Sequence, residues 1–174
     1  MASAENEIAV GGGKREEGSA KRGAQSEDET TRPRTPELVV LSREDAESYE
    51  PRGREVCISI SDPEAQPAQV SSRFAAVLRL YFNDITQMGE PTDILFAHEH
   101  AAAIDEFIDD WPNIDRLVLH CNMGVSRSPG VALGLCDLHG WATAPLERSH
   151  PGWNRLVRTV MNELKPDRGV SRRA

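Results

Sequence analysis

Four short β-prone apolar runs, spaced so that helical stretches fit between or after them, constrain this chain most. They are Leu38-Val39-Val40-Leu41, Val56-Cys57-Ile58-Ser59-Ile60, Ala76 to Phe82, and Arg116-Leu117-Val118-Leu119-His120. The third alternates around Arg79, which suits a strand. Between the third and fourth, Ile104, Phe107, Ile108 and Trp111 fall at i, i+3, i+4 and i+7, one apolar stripe of a helix that Pro112 stops. Pro129 to Leu138 reads as a buried helix, entered at a proline and left at Gly140. A last stripe, Trp153, Leu156, Val157, Val160, Met161 and Leu164, ends before Pro166. Strands interleaved with helices predict an α/β domain, a central mixed sheet of four to five strands flanked by helices.

The domain spans residues 37–166. Residues 1–36 contain Gly11-Gly12-Gly13, mixed charges and no Leu, Phe, Trp or Tyr, so they bury too little apolar area to offset ordering and read as a disordered tail. Residues 167–174 read as a flexible C-terminus. No apolar run approaches the ~18 residues of a membrane helix, so no membrane partner is expected. A net charge of −8 and nine scattered aromatics argue against nucleic acid. Three cysteines, an odd count, and the absence of a secretory leader pattern point to a reducing cytoplasm. The oligomeric state is not legible.

The chemistry concentrates in His120-Cys121-Asn122-Met123-Gly124-Val125-Ser126-Arg127-Ser128-Pro129. A strand ends, a short loop holding Gly124 follows, and a helix begins. Such a loop turns successive N–H groups inward, and the helix N-terminus adds positive partial charge. A thiol there loses its proton easily. Arg127 offers a planar fork for two phosphate oxygens, and Ser128 can donate to the sulfur. The set Cys121, Arg127, Ser128 and the loop Asn122, Met123, Gly124, Val125, Ser126 and Arg127 is therefore expected to perform phosphoryl transfer without metal or other cofactor.

The cysteine–five residues–arginine spacing, with His120 before and Ser128 after, resembles the cysteine-dependent protein tyrosine phosphatases, most closely their compact dual-specificity-like branch found also in bacteria. The likeness covers about residues 38–165. It implies that Asp84, in Phe82-Asn83-Asp84-Ile85, is the general acid and that Asn154, in Pro151-Gly152-Trp153-Asn154, braces the site. Asp93 is the rival acid and Glu90 a third, weaker one. His120 is expected to orient the loop rather than act as a base.

Competing uses of these residues are plainer. Ser128 also suits an N-cap, a role compatible with helping the sulfur. Cys136 and His139 lack a second pair to complete a metal site, so Cys136, like Cys57, reads as core. His98 and His100 read as solvated polar residues. The substrate expected is a phosphoprotein or phosphopeptide, tyrosine first, since the loop carries no cation beyond Arg127. The alternatives are a phospho-ligand module that does not turn over, and a phosphatase of RNA 5′-phosphates or phosphoinositides.

Overall fold

The computed structural model describes residues 8–9 and 35–164. Its elements run β1 (Ile8–Ala9), β2 (Glu37–Leu41), α1 (Arg43–Glu47), β3 (Glu55–Ser61), β4 (Ala76–Tyr81), α2 (His98–Asp110), β5 (Arg116–His120), α3 (Arg127–His139), α4 (Ala144–Ser149) and α5 (Arg155–Glu163). The four apolar runs are β2 to β5, and all four lie parallel. The two-residue β1 adds antiparallel to β4, pairing Ile8 with Leu78 and Ala9 with Val77, which makes the five-stranded sheet mixed. It falls in the stretch expected to be a tail. The rest of that stretch, and residues 165–174, lie outside the described residues.

The strand order is β1-β4-β3-β5-β2. The central strand β3 is buried at every position, as a parallel strand covered on both faces must be. On one face Ile58, Ile60, Leu78, Leu80, Leu117 and Leu119 pack with Ile104 and Phe107 of α2, Val131 and Leu135 of α3, and Val157 and Met161 of α5. On the other, Cys57 and Val118 lie under Phe74 and Tyr49, whose rings stack at 5.8 Å. Cys136 is also fully buried.

Parallel strands deliver their C-terminal ends to one edge of the sheet. After β4 on one side of β3 the chain returns to β5 on the other, so the order reverses beside β3. In open α/β sheets a crevice forms at that reversal, outside the strand ends. Ser42, Asp62, Phe82 and Cys121 each directly follow a strand and gather there.

Two helical details depart from expectation. The helix after β5 begins at Arg127 with Ser126 as its N-cap, so Ser128 lies inside the first turn and does not cap it. His100 is 4% exposed, not solvated: its Nδ1 accepts the Ala97 N–H at 3.1 Å and its ring stacks on Phe96. Burial among aromatics supplied the energy, and the ring nitrogen satisfies the N–H of Ala97, the N-cap residue, as the third-position side chain of a capping box does. His98 is exposed and meets Glu163 at 2.7 Å.

Candidate active site

The stretch 121–126 leaves β5 and closes into α3. At Gly124 the backbone turns left-handed, with φ +69°, and a Cβ built there would lie 2.6 Å from the Leu41 carbonyl oxygen. Glycine answers both demands, the conformation and the close approach of β2. The Arg43 N–H donates to the Asn122 carbonyl at 3.1 Å, which anchors the loop to the start of α1. Met123 and Val125 stand 72% and 53% exposed on its rim.

Cys121 is 2% exposed. Burial alone would push its thiol up. The Ser128 hydroxyl, the backbone N–H groups of Ser128 and Gly124, and the Arg127 guanidinium outweigh that and hold it below the ordinary thiol value. The Ser128 hydroxyl donates to Sγ at 3.2 Å. Its place in the first turn of α3, rather than at the cap, is what aims the hydroxyl back at the strand end.

Arg127 is buried, and its Nη1 is already committed. It donates to Asp62 Oδ1 at 2.7 Å and to the Phe82 carbonyl at 2.8 Å. Its Nε finds no partner among the described residues. One side of the guanidinium is thus fixed by the ends of β3 and β4, and Nε remains to donate to an oxyanion. Asp62 also accepts from Asn122 Nδ2 at 2.7 Å, tying loop and arginine to one carboxylate. The sequence reading missed Asp62. Its available signal was position: it directly follows a buried strand, as the chemistry-bearing loop does.

Asp84 comes to this loop. Its Oδ1 accepts from Ser126 Oγ at 2.7 Å and from Asn154 Nδ2 at 3.0 Å. Asn154 caps α5, with its Oδ1 accepting the Val157 N–H at 3.2 Å, and its own N–H donates to the Ser126 carbonyl at 3.0 Å. Asp93 is engaged elsewhere: its Oδ2 accepts the N–H groups of Gly89 and Glu90 at 2.9 and 2.7 Å, fastening a turn. Asp84, Ser126, Trp153, Asn154 and Arg155 line an open hollow of about 500 Å³ beside the loop.

His120 lies behind the cysteine, 1% exposed, with Nε2 at 2.8 Å from Ser59 Oγ. Burial, helped by the charges of Arg43 and Arg79, pushes its imidazole down to about 4. The ring is thus neutral near pH 7 and bonded to the central strand. No group of three or more metal-ligating side chains occurs among the described residues, and no described helix is long and apolar enough to cross a membrane.

No family model matches the chain, and no curated protein is significantly similar to it. Among solved structures it is similar to human tyrosine phosphatase-like serine/threonine/tyrosine-interacting protein, at 18% identity over 65% of this chain and 77% of that one, with a TM-score of 0.45.

Proposed function

We propose that this protein is a cysteine-dependent phosphomonoesterase acting on phosphoproteins, phosphotyrosine first. The observation that carries the reading is Cys121: a buried sulfur kept acidic by a hydroxyl, two amides and a guanidinium. A structural thiol in the core would shift the other way, as Cys57 does, pushed up to about 12.

The chemistry follows in two steps. The thiolate attacks phosphorus, an S–P bond forms, and the P–O bond to the leaving group breaks opposite it. Arg127 and the loop N–H groups hold the equatorial oxygens, where charge gathers. Asp84, in its acid form, gives its proton to the leaving oxygen. Water then attacks phosphorus and yields a proton to the Asp84 carboxylate. The S–P bond breaks and phosphate departs. The apolar rim of Met123 and Val125 suits an aryl ring better than a polyanion.

The test is hydrolysis of p-nitrophenyl phosphate in chelator-treated buffer. Wild type is expected to turn over and Cys121→Ser to fall to background. Turnover that survives the substitution would remove the sulfur from the mechanism. Stoichiometric phosphopeptide binding by intact protein, with no phosphate released, would make it a binding module instead.

A further inference from the structure

Ser126 occupies the N-cap of α3 and does not cap it. Its hydroxyl makes no bond to the first-turn amides, whereas Ser42 accepts the Asp45 N–H for α1 and Asn154 accepts the Val157 N–H for α5. An N-cap serine normally contributes about 1 kcal/mol by that bond. Here the hydroxyl turns outward and donates to Asp84 Oδ1 at 2.7 Å. A residue that gives up the local rule is where a functional demand is expected.

The second donor removes an ambiguity. Because Asn154 Oδ1 must face the Val157 N–H, its amide nitrogen must face Asp84. Oδ1 therefore receives an N–H that cannot reverse its role, and a proton on Oδ1 would meet it head-on. Oδ2 has no such partner among the described residues. Ser126 and Asn154 are themselves joined through the main chain at 3.0 Å, so the two donors form one rigid clasp.

We infer that the Ser126 hydroxyl is a positioning residue for the acid: with Asn154 it fixes the Asp84 carboxyl group and confines the transferable proton to Oδ2. This rests on the phosphomonoesterase reading above. In the step it serves, the Oδ2–H bond breaks and leaves its pair on the carboxylate. The proton joins the leaving oxygen as that oxygen takes the electrons of the P–O bond. Since Ser126 immediately precedes Arg127, the same residue ties the acid to the group that grips phosphate.

The experiment compares kcat/KM, which reports the step in which the leaving group departs, for phenyl phosphate, whose leaving group needs a proton, and for 2,4-dinitrophenyl phosphate, whose leaving group needs little. Ser126→Ala is expected to lose about tenfold more on the first ester than on the second. Ser126→Thr, which keeps the hydroxyl, is expected to restore the ratio. Equal losses on both esters, or no rescue by threonine, would overturn the inference while leaving the phosphatase reading intact. Failure of wild type on both esters would instead overturn that reading, and this inference with it.

Discussion

At the scale of single residues, the site is a set of donors converging on one sulfur and one carboxylate. Ser128 is the side chain closest in role to the thiol, and its hydroxyl bonds the charged form better than the neutral one. Ser128→Ala should therefore raise the pH midpoint of Cys121 alkylation by iodoacetate. An unmoved midpoint would assign the acidity to the amides and Arg127 alone. Asp62 is the residue that most needed a structure to be seen. Its carboxylate holds both Arg127 and Asn122 at 2.7 Å. Asp62→Ala should free the guanidinium to wander and cut kcat/KM for p-nitrophenyl phosphate roughly ten- to a hundredfold. Unchanged steady-state kinetics would show that the Phe82 carbonyl suffices to hold the fork.

At the scale of elements, the cradle depends on how α3 sits. Its apolar residues were legible as a buried helix, but not what it packs against. α5 answers that: Gly130 and Gly134 of α3 face Val157 and Met161. A Cβ at Gly134 would come 2.5 Å from Met161 Cβ, closer than side chains tolerate. Gly134→Ala should force α5 away and destabilise the fold by about 1–3 kcal/mol, read as a lower urea midpoint. Because Asn154 begins α5, the same displacement should also loosen Asp84, so activity on phenyl phosphate should fall further than stability alone explains. A variant as stable as wild type would show that the two helices can slide past the added methyl. The short elements α1 and α4 had no clear sequence signal. Each is a single turn or so, held by tertiary contact rather than by a stripe of its own.

At the scale of the whole molecule, the buried histidine behind the cysteine couples stability to pH. His120 binds its proton with a value of about 4 in the folded state, against 6.5 when unfolded. Between those values the unfolded chain holds more protons than the folded one, so stability falls as pH drops through that window. The loss amounts to about 3 kcal/mol across it. His100, pushed down chiefly by burial, acts with the same sign. Urea unfolding at pH 7 and pH 4.5 should show this slope, and His120→Asn should flatten it. A slope unaffected by that substitution would place the proton-linked loss elsewhere.

The strand runs, the helical stripes and the Cys121–Arg127 spacing were determined by local rules, and those act between residues close in sequence. Apolar periodicity names a strand or a helix wherever it occurs, and a strand end, Gly124 and a helix start in close succession suggest an anion cradle. So the fold class could be read directly and an anion cradle expected from its strand–loop–helix pattern, while Asp84 entered only as what the family resemblance implies. The tertiary structure alone decided which distant side chains complete the site. The strand order sets the ends of β3 and β4 beside the loop after β5, and this brings Asp62 within 2.7 Å of an arginine 65 positions away. The same packing turned Ser126 from its cap toward Asp84, 42 positions earlier. It also buried His100 among aromatics rather than leaving it in water. Such choices depend on burial and through-space bonding, which no short window of sequence contains.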